Sequence, residues 1–158
     1  MTRTIVLVAA CVFVAACGGV DKQKFDGVEK AGKALQDEVQ SSGGLPRSQS
    51  RDRLKRFDTE VLALQDRTIG RREADALQAY ADAAEAYRSF LHFRGLALDA
   101  ENGQIPLKGP NLETATRYKL PVETHSGSKS VNSARAITIL LQASEQRMSD
   151  GNRLVDGK

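Results

Sequence analysis

The chain has 158 residues, of which 23 are basic and 20 are acidic, giving a formal net charge of +3. A balance this close indicates no general affinity for nucleic acid, and the length suits a single domain. Both cysteines, Cys11 and Cys17, lie near the N-terminus, so the rest of the chain has no disulfide to form and must be stabilised by packing.

The N-terminal segment, residues 1–16, has the three parts of a secretory signal. Arg3 supplies a basic lead, residues 5–16 form an apolar run, and small residues precede Cys17. An uncleaved membrane helix is the alternative interpretation. Twelve residues extend only about 18 Å as a helix, however, well short of the ~30 Å thickness of a hydrocarbon core. A cleaved signal is therefore expected.

The four residues Val14-Ala15-Ala16-Cys17 resemble the lipobox of bacterial prolipoproteins, and the resemblance covers about the first twenty residues. It implies export, cleavage after Ala16, and acylation of Cys17 by the lipoprotein processing machinery, with two or three chains of the palmitate type. Such chains anchor a protein to membrane lipid without a spanning helix. Gly18-Gly19 carries no aspartate, which in an enterobacteria-like cell implies the periplasmic face of the outer membrane. An ordinary signal peptide with a nearby cysteine is the alternative.

After a lipidated tether at residues 17–21, the apolar spacing predicts one all-α domain over residues 22–150. The helices of this bundle are predicted at 22–40, 50–67, 72–99 and 130–149. The first two have apolar stripes at Phe25, Val28, Leu35 and Val39, and at Leu54, Phe57, Val61 and Leu64.

A new stripe through Leu77, Tyr80, Ala84 and Tyr87 begins two residues out of register with the second helix. This jump predicts a turn near Gly70 between two antiparallel helices, with one long kinked helix as the alternative. Tyr80, Tyr87, Phe90 and Phe93 are expected in the core rather than lining a ligand groove.

The segment at 100–129 contains Pro106, Pro110 and Pro121 and is predicted to be a long irregular loop. Asn111–Lys119 could form a short helix there, or Thr116–Val122 a strand. In the last helix the predicted inward residues are Val131, Ala134, Ile137, Leu141 and Met148. Residues 151–158 are expected to fray.

No catalytic residue, metal site or cofactor is predicted. His92 has no histidine or carboxylate four residues away, as a zinc-binding helix requires. Asp99-x-Glu101-Asn102-Gly103 has the wrong later spacing for a calcium loop and is better explained as a helix stop. His125 lies in the loop without a nucleophile elbow nearby.

A basic segment stands out at the start of the second helix, formed by Arg47, Arg51, Arg53, Lys55 and Arg56. It is interpreted either as a solvated helix start or as a contact for lipid headgroups, an anionic envelope glycan or an acidic protein. Positive charge early in a helix opposes the macrodipole, so helix propensity does not explain it. The sequence thus predicts a non-enzymatic, membrane-anchored scaffold or binding module. The alternative is a hydrolase-like envelope enzyme using His125 with Glu113 or Glu123.

Overall fold

The computed structural model describes residues 20–43, 48–67 and 70–157, apart from the side chain of Glu101. In chain order its elements are α1 (Lys22–Ser41), α2 (Ser48–Gln65), α3 (Arg71–Leu98), β1 (Gln104–Pro106), α4 (Pro110–Arg117), β2 (Val122–His125), β3 (Ser128–Asn132) and α5 (Ser133–Asp156). The four predicted long helices are confirmed as α1, α2, α3 and α5. The all-α prediction is confirmed in part: the described fold is mostly helical, but it also contains a small three-stranded sheet before α5.

The four long helices form a bundle in which chain neighbours alternate in direction. Gly27 and then Gly32 of α1 face Glu60 and then Phe57 of α2, so these two helices are antiparallel. The long helix α3 packs against both α2 and α5, as its broad apolar face predicts.

Helices α1 and α3 run in the same direction. The Lys24 ammonium is 3.1 Å from the Glu73 carboxylate where both helices begin, and Arg94 donates to the Gly43 carbonyl where both end. We call the end that holds the start of α1 the near end. The far end holds the start of α2, the end of α3 and the sheet.

The predicted hairpin between α2 and α3 is confirmed, and the single kinked helix is wrong. Helix α2 ends at Gln65 and α3 begins at Arg71, with residues 68–69 outside the described ranges. The rings of Phe57 and Tyr80 meet edge to face with centroids 6.3 Å apart, so the two apolar stripes pack on each other.

The segment at 100–129 is not an irregular loop. Strands β1 and β2 both pair antiparallel with β3, which places Val131 between Ile105 and Val122. Ser126 and Gly127 both have positive φ, at 49° and 80°, and make the tight turn between β2 and β3. Helix α4 confirms the helical alternative for this segment over the strand.

Helix α5 differs from its prediction in both length and orientation. It continues through residues predicted to fray and ends at Asp156, where Gly157 adopts φ 74°. Ala134 is exposed, and Ile137 and Leu141 are only half-buried. The buried residues of the helix are Ala136, Leu140, Ser144, Met148, Gly151 and Val155. The small members of this face let the α5 backbone approach α3 closely, which outweighs the burial of the larger apolar residues.

Candidate functional site: a cationic groove between α2 and α3

Two parts of the predicted site lie outside the described residues. These are the cleavage position at Ala16 with the acylation site Cys17, and Arg47 at the start of the basic segment. The described chain enters at the near end, where the Asp21 side chain caps α1 by accepting from the backbone N–H of Gln23 at 3.1 Å.

The remaining four cations of the basic segment all lie exposed in the first turns of α2. Neither they nor Asp52 between them form an ion pair with any described residue. Elsewhere the lysines at 22 and 24 each contact a carboxylate, at 2.8 and 3.1 Å. The basic segment thus presents positive charge that the described fold does not neutralise.

The cations of the segment divide between two sides of α2. Arg51 and Lys55 are four residues apart and share the side that faces α3. Arg53 and Arg56 point away from that side and line no part of the α2–α3 cleft. Of the four, only Arg51 and Lys55 therefore line this cleft.

That concave surface is a groove of about 340 Å³ between α2 and α3. Leu54 and Leu91, both nearly buried, form its apolar floor. Its polar walls are formed by Arg51, Lys55 and Asp58 from α2 and by Arg88 and His92 from α3. The walls carry three permanent cations against one carboxylate, so the groove is suited to an anion that also has an apolar part.

Asp58, the carboxylate in the groove, is already paired with Arg88. Both oxygens of Asp58 lie 2.9 Å from one terminal nitrogen of Arg88, and a second nitrogen of Arg88 contacts Glu85. Burial lowers the pKa of Arg88, but these hydrogen bonds and charges outweigh it and raise that pKa overall. Glu85 also accepts from Arg117 of α4 at 3.1 Å. Asp58 is therefore largely neutralised, while Arg51 and Lys55 remain available.

His92 stands on the groove wall with its ring held in place. Its Nε2 lies 2.9 Å from the Asn111 Oδ1 atom, so the nitrogen must donate to this acceptor. The ring also meets Phe93 edge to face. The described residues contain no cluster of three His, Cys, Asp or Glu side chains placed to hold a metal ion.

His125, the candidate for the enzymatic alternative, lies on β2 at the edge of the sheet. Its ring is 75% exposed and Nε2 is 3.5 Å from the Glu123 carboxylate, itself 43% exposed. Glu113 is exposed on α4 and does not join them. Of the predicted helix-stop residues, Asp99 caps the C-terminus of α3, whereas Asn102 and Gly103 lie in a short 3-10 turn (Glu101–Gly103) beyond it and both have positive φ.

The aromatic residues of α3 belong to the core, as predicted. Tyr80, Tyr87, Phe90 and Phe93 are all at most 1% exposed. Burial raises the pKa of Tyr87 to about 12, which keeps its hydroxyl neutral at any physiological pH.

Sequence reasoning missed the α3 half of the groove. Arg88 and His92 are four residues apart, which places them on one side of α3, but the sequence does not show which α2 residues they face. The Asp58–Arg88 ion pair fixes that alignment only in the folded hairpin.

No family model matches the chain, and comparisons with curated proteins and with solved structures give no significant match. Among residues 20–43, 48–67 and 70–157, no helix combines the length and apolar character needed to cross a membrane.

Proposed function

We propose that the chain is a non-enzymatic envelope lipoprotein, anchored through acylated Cys17, whose helical domain binds an anionic envelope partner. The anchoring half of this proposal is supported by Val14-Ala15-Ala16-Cys17 and the short apolar run before it. The periplasmic face of the outer membrane is the location expected in an enterobacteria-like cell, because Gly18-Gly19, directly after Cys17, contains no aspartate.

The binding half is carried by one observation: Arg51, Arg53, Lys55 and Arg56 are exposed and form no ion pair with any described residue. Exposed charges contribute little to folding, since surface ion pairs are worth about 0–1 kcal/mol and salt screens them. A cluster of exposed cations in the first turns of α2 therefore has no evident structural role, and the macrodipole opposes the charge of Arg51 in its first turn. Binding an anionic partner would give these cations a functional role.

An enzyme centred on His125 is the less supported alternative. A general base benefits from burial and from a positioned substrate pocket. His125 and Glu123 are both open to solvent on an edge strand. Their geometry is that of an exposed surface contact.

The proposed function is tested by replacing Arg51, Arg53 and Arg56 together with glutamine in the full chain. We expect the melting temperature to stay nearly unchanged, because the three side chains form no ion pair with the part of the chain that the structure describes. Binding to phosphatidylglycerol vesicles, to an anionic glycan or to an acidic polypeptide should weaken, and added salt should reduce wild-type binding.

A matched control removes the same charge elsewhere. Arg67, Arg71 and Arg72 are exposed at the near end and form no ion pair with described residues. Their triple glutamine variant should bind like the wild type. Equal binding by all three proteins, or no binding by any at low ionic strength, would leave the basic segment as a solvated helix start.

A further inference from the structure

We infer that the groove between α2 and α3 binds an acidic, leucine-bearing segment of a protein partner at the far end of the bundle. This deepens the proposed function and rests on it.

The groove lies at the far end of the bundle, away from the start of α1. Helix α1 begins at the near end and has 20 residues, which extend about 30 Å. Arg51 and Lys55 lie in the first two turns of α2, at the far end. A lipid on Cys17, a few residues before Asp21, would therefore attach the domain at the end opposite the groove.

The net charge also differs between the two ends of the bundle, with the positive charge at the far end. The near half comprises residues 20–31, 57–67, 70–84 and 145–157 and has eight basic and twelve acidic residues, a net charge of −4. The far half comprises residues 32–43, 48–56 and 85–144 and has twelve basic and eight acidic residues, a net charge of +4. An anionic partner is therefore attracted to the far half and repelled from the half nearest the anchor.

The shape of the groove separates a protein segment from a lipid surface. A flat membrane would meet the exposed outer surface of α2. It would not reach into a cleft between two helices. The cleft has an apolar floor of Leu54 and Leu91 below the cations. In a segment bound here, a leucine side chain would contact the apolar floor while its acidic neighbours would contact the cations.

The cations of the groove are arranged for such a segment. Asp58 and Glu85 hold Arg88 in place on the α3 wall. These contacts do not involve the charges of Arg51 and Lys55 on the α2 wall. Arg51 and Lys55 stand one turn apart on the opposite wall and have no described carboxylate partner. They are placed to pair with acidic residues that flank an inserted leucine.

The test compares two double variants of the full chain in phosphatidylcholine nanodiscs. R51Q/K55Q removes the groove pair, and R53Q/R56Q removes the same charge from the same helix outside the groove. The probe is a fluorescein-labelled peptide with one leucine flanked on both sides by glutamates. Its control has serine in place of leucine, and unfolding curves verify that both variants fold.

We expect R51Q/K55Q to weaken binding of the leucine peptide about fivefold or more and R53Q/R56Q to weaken it less than about twofold. The serine peptide should bind more weakly than the leucine peptide both to wild type and to R53Q/R56Q, because both proteins keep the groove intact. Equal losses in the two variants, or equal binding of the two peptides, would overturn the groove assignment while leaving a general anionic interaction.

Binding to phosphatidylglycerol vesicles without binding to either peptide would also overturn the inference, and would make lipid the partner. The same holds for an anionic glycan that binds where the peptides do not. If wild type binds none of these probes at low ionic strength, the proposed function fails together with the inference.

Discussion

Gly151 of α5 lies directly against the ring of Tyr80 on α3. A Cβ atom at Gly151 would stand 2.8 Å from the ring carbon Cε1, closer than such atoms normally approach. The ring cannot easily move away, because it is fully buried and its hydroxyl lies 2.8 Å from the Asn152 Oδ1 atom. The absence of a side chain at this position is what allows α3 and α5 to pack closely.

We therefore expect Gly151→Ala to lower the free energy of unfolding by about 1–3 kcal/mol, the usual cost of overpacking. This loss would occur although alanine favours helix by about 1 kcal/mol over glycine. Guanidinium unfolding followed by circular dichroism measures it.

Gly32 of α1 is the matched comparison. The two shortest contacts of a Cβ atom there would be with the flexible end of Met148, and a carbon of the Phe57 ring would lie at 3.2 Å. Gly32→Ala should therefore cost less than Gly151→Ala, where all three nearest atoms belong to the Tyr80 ring. Equal costs would show that the rigid Tyr80 ring is not what limits the approach of α5.

The hairpin between α2 and α3 predicts a contrast between two leucines of the same helix. Leu64 is 6% exposed and faces the core, whereas Leu62 is 58% exposed. Leu64→Ala should cost roughly 2–5 kcal/mol of unfolding free energy. Leu62→Ala should stay within about 0.5 kcal/mol of wild type. Similar values for the two variants would contradict the orientation of α2.

The sequence predicts those parts of the fold that follow from apolar spacing within one helix. The register jump at Gly70 correctly separates α2 from α3, because a continuous helix would have turned Arg71 and Asp75 inward. The sheet was missed although Ser126-Gly127 is a recognisable hairpin turn. The flanking strands are short and exposed, and so lack the apolar alternation that identifies a strand.

For a related reason, the sequence alone does not predict which residues of α5 face inward or which residues of α3 line the groove. Both depend on how one helix is aligned with another. In α5, small residues such as Ser144 and Gly151 face α3, whereas spacing rules favour the larger Ile137 and Leu141. The basic segment was found because its residues are adjacent in sequence, but Arg88 joins it only through packing.

The stability should depend on pH through Glu29 of α1. Burial, followed by the charges of Asp156 and Asp26, raises the pKa of this carboxyl above its ordinary value of 4.5. In the window between the unfolded and folded pKa values, the folded state binds more protons than the unfolded state. Stability from this group is therefore fully present below the unfolded pKa and is lost as pH rises through the folded pKa.

Glu29→Gln removes this dependence, because glutamine stays neutral. At neutral pH the variant should be as stable as wild type or slightly more so, by less than about 1 kcal/mol for a side chain this exposed. Below the unfolded pKa the advantage should disappear. Melting temperatures of both proteins measured across the acidic range check the sign, and a difference that stays constant with pH would contradict it.

The anchoring proposal is tested most directly at the two cysteines near the N-terminus. Mass spectrometry of the mature wild-type protein should show an acylated Cys17 as the first residue and no residues 1–16. Cys17→Ala should leave an unprocessed or mislocalised product, because alanine has no thiol to accept a diacylglycerol group. Cys11→Ala is the matched control. It lies within the apolar run that is removed, so its loss should leave acylation and membrane fractionation unchanged. If the Cys17→Ala protein matures and fractionates like the wild type, the lipoprotein proposal is wrong.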